Sequence, residues 1–182
     1  MLGGYATGDS YPGDYLQDSG EWSARLIIFA LMLTPLSLLL PGRRWVQWLV
    51  RRRRAFGVAA FGYALLHLLF YLLDMETLRN VLAELSALGI WTGWAAFLLL
   101  LPLALTSNAA SVRALKRGWK RLQRLAYPAA LLTLAHWMFV HDNLAPALLN
   151  FAPLALLESW RLVRALRRGS LRSQPSTPIQ PT

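Results

Sequence analysis

The chain has 182 residues, of which 55% are hydrophobic and 15% are charged, yet its formal net charge is +10. Such a composition requires the charges to be segregated from long apolar stretches, so it predicts an integral membrane protein rather than a soluble domain. The absence of cysteine excludes disulfides, thiolate catalysis, cysteine-held iron–sulfur clusters and covalent haem attachment.

Five apolar stretches have the length of about 20 residues that a helix needs to span a bilayer. Before them, residues 1–20 are rich in Gly, Tyr, Asp and Ser and predict an exposed flexible segment, and after them residues 169–182 predict a disordered cytoplasmic tail. Between these ends we expect one all-α integral membrane domain over residues 21–168, a bundle of about five transmembrane helices, because helices satisfy their own backbone hydrogen bonds in lipid. The stretches are residues 23–40, 55–73, 88–106, 122–140 and 144–162.

The basic residues predict the orientation in the lipid bilayer, since cytoplasmic loops carry the excess of Lys and Arg. All except Arg25 and Arg79 fall into three segments separated by helix pairs, and most acidic residues fall between those segments. We therefore expect the N-terminus outside and the C-terminus in the cytoplasm. No nucleic-acid partner is expected, because neither a basic patch on a soluble fold nor an aromatic platform accompanies this charge. The three segments hold Arg43, Arg44 and Arg51 to Arg54; Arg113, Lys116, Arg117, Lys120, Arg121 and Arg124; and Arg161, Arg164, Arg167, Arg168 and Arg172.

Two histidines lie in apolar stretches and are predicted at nearly the same depth. His67 is thirteen residues beyond Arg54 and His136 is twelve beyond Arg124, or about 20 Å and about 18 Å along a helix. An ionisable side chain inside a bilayer is costly, so it usually faces the protein interior and marks a pathway or a ligand. Two imidazoles at one level suggest a shared ligand.

Each histidine shares its helix face with small residues that precede it by three, seven and ten positions in the sequence. Such stripes leave room for a flat group, such as a haem between two axial imidazoles, but they also serve the close packing of membrane helices. Taken singly, either histidine is equally well a buried imidazole hydrogen-bonded to a neighbour, whereas the pair favours a haem. The stripes are Ala64, Ala60 and Gly57 for His67, and Thr133, Ala129 and Ala126 for His136.

Zinc is the competing ligand, since imidazole suits it, but zinc sites use three or four N, S or O ligands. His141 follows His136 by five residues, on a different helix face near the outer surface, and is interpreted as a solvated loop residue. A haem is therefore favoured over zinc at His67 and His136.

Several short segments occur in a specific order and spacing: Thr34-Pro35-Leu36, Arg53-Arg54 before Gly57, His67 with Tyr71, Leu105-Thr106-Ser107, Trp119 with Leu122, and Tyr127 with His136. Together they resemble the ferric reductase-like transmembrane domain family. The resemblance covers roughly residues 20–165 and is greatest to the short branch that includes the haem-b membrane subunit of the periplasmic methionine sulfoxide reductase system.

The resemblance implies a bundle in the cell inner membrane that holds b-type haem, one or possibly two, with His67 and His136 as the cofactor and metal ligands. It implies an electron-transfer subunit of an oxidoreductase system, with a quinol or a separate flavin reductase as donor and a periplasmic redox partner protein as acceptor. A haem between two imidazoles has no open position, which favours electron relay over chemistry at iron. No catalytic residue is predicted, and no Gly-x-Gly-x-x-Gly nucleotide fingerprint occurs.

The chain departs from the family pattern at three places. Gln123, in Leu122-Gln123-Arg124-Leu125, stands where the family has another histidine. Glutamine is not a usual haem ligand, so this departure argues against a second, inner haem. Leu85-Ser86-Ala87 replaces an Arg-Pro pair of the methionine sulfoxide branch, and one N-terminal helix fewer is present, so either the protein has five helices or the sequence begins late. These departures leave an alternative, a structural or assembly membrane protein without redox activity.

Two further residues have two interpretations each. Arg25, near the outer end of the first helix, could pair with a haem propionate or extend to the lipid head groups. Tyr71 could hydrogen-bond near the site or belong to the interfacial aromatic belt.

A transporter is disfavoured, because few intramembrane charges and no broken helix pair are present.

Overall fold

The structure, a computed structural model, describes residues 12–140 and 144–172. These residues are helical apart from short connections and include no strand, which confirms the all-α class. The helices are α1 Pro12–Leu39, α2 Arg44–Asp74, α3 Leu78–Glu84, α4 Leu88–Leu105, α5 Ala109–Leu115, α6 Arg117–Leu122, a 3₁₀ turn Gln123–Leu125, α7 Ala126–Val140 and α8 Leu144–Arg172.

Three of the described helices are long and apolar enough to cross a membrane, namely Tyr15–Leu39 within α1, Arg44–Asp74 and Leu88–Leu105. In the apolar window of α2, only 11% of the residues are buried inside the protein. An apolar surface of this extent suits lipid rather than water, because soluble proteins rarely expose large contiguous apolar patches. The protein is therefore a multi-pass membrane protein. The total of five spans, which adds α7 and α8, stays a prediction.

The bundle is built from two antiparallel pairs, α1 with α2 and α4 with α7, which make the most extensive helix contacts of the described chain. In the first pair, Ser23 Oγ donates to the carbonyl oxygen of Ala60 at 2.9 Å, and Arg53 Nη1 donates to Thr34 Oγ1 at 2.9 Å near the other end. Ala60 is fully buried, so its small side chain allows α1 and α2 to approach closely.

The second pair approaches closely at Gly89. A Cβ atom at this position would lie 2.9 Å from Val140 Cγ2 and 3.3 Å from Phe139 Cβ, so the first turn of α4 packs directly against the last turn of α7. At the opposite end, Trp119 Nε1 donates to the carbonyl oxygen of Thr106 at 3.0 Å. As a result, α1 and α4 begin at the end of the bundle where α2 and α7 finish.

The N-terminal boundary differs from the sequence expectation. Residues 12–20 were expected in an exposed flexible segment, but they form the first turns of α1, and Tyr15 and Ser19 are buried. The Tyr15 ring stacks on Phe70 of α2 at a centroid distance of 5.8 Å. Aromatic packing against α2 stabilises turns whose own composition is too polar to predict a span. Residues 1–11 lie outside the described residues.

The basic segments differ as well, because they are largely helical rather than loops. Arg51 to Arg54 lie inside α2, and the basic residues between 113 and 124 lie on α5, α6 and the 3₁₀ turn, except Lys116, which connects α5 to α6. Arginine and lysine have high helix propensity, so a helix can extend beyond its apolar stretch. The C-terminal helix likewise continues to Arg172, beyond the expected boundary at residue 168. Residues 173–182 of the predicted tail lie outside the described residues.

Enlarging Ala60 should destabilise the bundle. Ala60→Leu adds three carbon atoms at a fully buried position between α1 and α2 and should cost about 1–3 kcal/mol through overpacking. The measurement is the thermal unfolding midpoint of the purified protein in detergent. Ala59→Leu is the matched control, since Ala59 is exposed on the same turn and should change stability by less than about 0.5 kcal/mol. Equal midpoints for the two variants would contradict the packing described here.

Candidate functional site

The structure brings His67 and His136 together in the interior of the bundle. Their ring centroids are 6.0 Å apart and their ring planes are inclined by 80°. His67 lies on α2 and His136 on α7, so the two residues belong to different helix pairs. The predicted proximity of the two histidines is therefore found, whereas their role as ligands stays a prediction.

Each imidazole is oriented by a backbone carbonyl of the helix with which its own helix pairs. His67 Nδ1 lies 2.8 Å from the carbonyl oxygen of Leu16 in α1, and His136 Nδ1 lies 2.7 Å from that of Gly89 in α4. A carbonyl oxygen can only accept, so Nδ1 donates in both cases. In the neutral tautomer this places the lone pair on Nε2, the atom through which an imidazole so oriented binds a metal.

A cavity of about 330 Å³ adjoins both histidines. Its wall is mostly apolar and is formed by α1, α2, α4 and α7. Small residues make room for the cavity, and aromatic rings bound it. The small residues are Gly20, Ser23, Ala24, Ala64, Gly93, Ala96 and Thr133, and the aromatic residues are Tyr71, Trp94, Phe97 and Trp137.

The two stripes of small residues serve both of the purposes that the sequence left open. Ala64 and Thr133, one turn from the histidines, line the cavity. Ala60 and Ala129, one turn further, are fully buried in the helix packing instead. Room for a ligand is therefore made by the nearest residue of each stripe, and close helix packing is the role of the next.

Two polar side chains of the cavity wall, those of Tyr71 and Glu21, have hydrogen-bond or ion-pair partners in the protein. Tyr71, on the wall, donates through its hydroxyl to Glu84 Oε2 at 3.3 Å. Glu21, also on the wall, forms an ion pair with Arg25, whose Nε is 3.4 Å from Asn150 Oδ1. Arg25 is thus bound to protein groups of α1 and α8, and Tyr71 makes the nearby hydrogen bond that was one of its two interpretations.

His67 and His136 are the two metal ligands that the sequence predicted, and both lie on the cavity wall. Among the described residues, no group of three or more His, Cys, Asp or Glu side chains could hold a metal ion. Zinc sites in proteins normally use three or four such ligands. Gln123 lies elsewhere, with Nε2 3.4 Å from the carbonyl oxygen of Leu103, and His141 is outside the described residues.

Sequence reasoning missed the glycines that contact the two histidine rings. Gly20 lies against His67 and Gly93 against His136, each close enough that a Cβ atom would overlap the ring. A signal was present for Gly93, because glycine inside a predicted helix costs about 1 kcal/mol relative to alanine and often has a packing reason. Gly20 lay in the segment that was predicted to be flexible. Ser19 and Thr92 precede these glycines and are two of the few buried polar residues.

Comparison with known proteins decides the family. The family model described as "Ferric reductase like transmembrane component" matches residues 19–134, a span that includes His67 and ends just before His136. The chain belongs to the ferric reductase-like transmembrane family. The family predicted from the short segments is thereby confirmed, and no solved structure matches the chain significantly.

Curated relatives in this family cover most of the chain. A protein of Xanthomonas axonopodis pv. citri named "Protein-methionine-sulfoxide reductase heme-binding subunit MsrQ" is 39% identical over 164 residues, covering 88% of this chain and 73% of the relative. The protein of the same name from Xanthomonas oryzae pv. oryzae is 38% identical over 168 residues, covering 90% and 75%. That from Azospira oryzae is 36% identical over 174 residues, covering 89% and 71%.

Proposed function

We propose that this protein is a haem-b membrane electron-transfer protein in which His67 and His136 are the two axial ligands. The separation of the rings carries the proposal. A metal–imidazole bond is about 2.0 Å long, so two imidazoles that held one metal ion between them would have ring centroids about 6 Å apart. The observed centroid distance is 6.0 Å. The donor set and the cavity also fit, because a haem needs two axial donors and a flat space between helices.

The chain's own residues would bind and orient the group. When bound, haem supplies reversible one-electron chemistry, with a potential that depends on axial ligands, hydrogen bonds and burial. The carbonyls of Leu16 and Gly89 hold both imidazoles in the tautomer that presents Nε2. Because His67 and His136 would both hold the haem iron, the site supports electron relay rather than catalysis at iron.

The partners are proposed from the relatives. Because relatives of 36–39% identity are named as heme-binding subunits of protein-methionine-sulfoxide reductase, the acceptor that we propose is an extracytoplasmic reductase of this type. The proposed donor is a quinol or a separate flavin reductase. The distribution of Lys and Arg supports a location in the cell inner membrane with the histidines in its outer half, since the Arg51 to Arg54 run lies toward the opposite end of α2.

Removing either histidine should abolish haem retention. His67→Ala and His136→Ala each remove one of the two proposed axial ligands, so both purified variants should contain little or no haem by the pyridine haemochrome assay. Gln123→Ala is the control, because Gln123 is partly buried but lies outside the cavity wall. It should keep the wild-type haem content. Normal haem content in both histidine variants would refute the assignment, and haem loss in Gln123→Ala would reveal a role for that residue.

The protein should hold one b-type haem per chain. Only three histidines occur in the sequence, and Gln123 stands where a second, inner site would need a ligand. The measurement is a dithionite-reduced minus oxidised spectrum of the purified protein, with haem quantified against protein. Two haems per chain would show that an inner site exists despite Gln123. A colourless protein after expression with ample haem would instead support the structural or assembly alternative.

The connection between α2 and α4 should lie outside the cytoplasm. Alkaline phosphatase is active only when exported, so its fusion in the connection after Asp74 should be active and its fusion after Arg168 inactive. A green fluorescent protein fusion at the C-terminus should fluoresce. The reverse pattern would place His67 and His136 in the inner half of the membrane and exclude direct delivery of electrons to an extracytoplasmic acceptor.

A further inference from the structure

The contact between His67 and α1 involves three residues of one helical turn. His67 Nδ1 donates to the carbonyl oxygen of Leu16 at 2.8 Å. Ser19 Oγ also donates to this oxygen, at 2.9 Å, as well as to that of Tyr15 at 2.7 Å. Gly20 lies one turn after Leu16 and faces the ring. A Cβ atom at Gly20 would lie 2.8 Å from His67 Nδ1 and 2.9 Å from its Cε1.

The contact between His136 and α4 repeats this arrangement. His136 Nδ1 donates to the carbonyl oxygen of Gly89 at 2.7 Å. Thr92 Oγ1 also donates to this oxygen, at 2.8 Å, and to that of Leu88 at 2.9 Å. Gly93 lies one turn after Gly89, and a Cβ atom there would lie 2.7 Å from both Nδ1 and Cε1 of His136.

The two sets correspond residue by residue. Each has an acceptor carbonyl, a Ser or Thr three residues later whose hydroxyl bonds the same carbonyl, and a glycine four residues later against which the imidazole packs. The first set is Leu16, Ser19 and Gly20 around His67. The second set is Gly89, Thr92 and Gly93 around His136. Residues four apart lie on one helix face, so the carbonyl and the glycine face the same ring.

We propose that Gly20 and Gly93 are positioning residues that set the orientation of the axial imidazoles by allowing each ring to reach its carbonyl. This inference rests on the haem site proposed above. Any side chain at either glycine would push the ring away, since real Cβ contacts are essentially never shorter than 3.0 Å. The ring is itself tethered to the carbonyl of the same turn, so a shift lengthens the hydrogen bond that fixes its tautomer.

The first test is Gly20→Ala and Gly93→Ala in the 182-residue chain. Loss of an interaction that orients a metal ligand typically weakens metal binding by about 10- to 100-fold. Each variant should therefore transfer haem to apomyoglobin faster by about this factor, with an altered ferric electron paramagnetic resonance signal from tilted axial ligands. Gly57→Ala and Gly62→Ala are the matched controls, because both glycines are helical and have nothing within 4 Å of an added Cβ.

The second test uses the hydroxyls, which can be removed with little change in volume. In Ser19→Ala and Thr92→Val the carbonyl loses one donor, so its bond to histidine Nδ1 strengthens and the imidazole becomes a more basic ligand. The midpoint potential of the haem should fall in both variants. Ser37→Ala is the control, because Ser37 Oγ also donates to a carbonyl of α1, that of Thr34 at 2.7 Å, but lies outside the cavity wall.

The outcomes separate this inference from the proposed function. If His67→Ala and His136→Ala retain haem, the haem site itself is wrong. If they lose haem while Gly20→Ala and Gly93→Ala match Gly57→Ala in haem transfer and spectrum, the positioning role is overturned and the haem site stands. Should an alanine variant fail to fold, as judged by gel filtration in detergent, the hydroxyl variants decide. Midpoint potentials of Ser19→Ala and Thr92→Val equal to that of Ser37→Ala would then show that the histidine–carbonyl bonds do not affect the haem. A positioning role of Gly20 and Gly93 through those bonds would be overturned.

Discussion

The hydrogen bonds from His67 and His136 to backbone carbonyls are the interactions on which the site depends. Both lie in a mostly apolar interior, where an imidazole N–H without an acceptor costs more than in water. Each bond fixes at once the tautomer, the ring orientation and the distance between α2 or α7 and its paired helix. Because the acceptors are main-chain carbonyls, the orientation of each imidazole depends on the position of the paired helix and not on a further side chain. Changes in the packing of the helix pairs would therefore change the site.

The antiparallel pairing of the helices brings each acceptor carbonyl to the level of its histidine. The acceptor carbonyls lie in the first turns of α1 and α4, and the histidines lie toward the ends of α2 and α7. Close approach at the level of His136 requires a small residue at Gly89, and the buried Ala60 allows the same close approach of α1 and α2 two turns from His67. In lipid there is no hydrophobic force between helices to compensate for poor packing, so van der Waals fit and these polar contacts stabilise the pairs.

The sequence was sufficient to predict the helical membrane fold, the family and the proximity of the two histidines, because apolar length and flanking arginines determine span and depth. It was not sufficient to predict the first turns of α1. Their polar composition resembles a flexible segment, and they become helical and buried through contacts such as Tyr15 on Phe70, a residue 55 positions away. The roles of Gly20 and Gly93 could not be predicted either, since a glycine in a helix suggests close packing but does not show which side chain packs against it.

The two halves of the site belong to different helix pairs, and this has a thermodynamic consequence. His67 is oriented by α1 and His136 by α4, so each helix pair can fix the orientation and tautomer of its own imidazole without the other pair. The 6.0 Å separation of the rings depends on the docking of one pair against the other, through contacts of α2 with α4 and of α1 with α7. A group bound by both histidines would bind only the docked state and would stabilise it by mass action. In the proposed haem protein, cofactor binding and docking of the two helix pairs would therefore be coupled, whereas each pair orients its own imidazole through a backbone carbonyl.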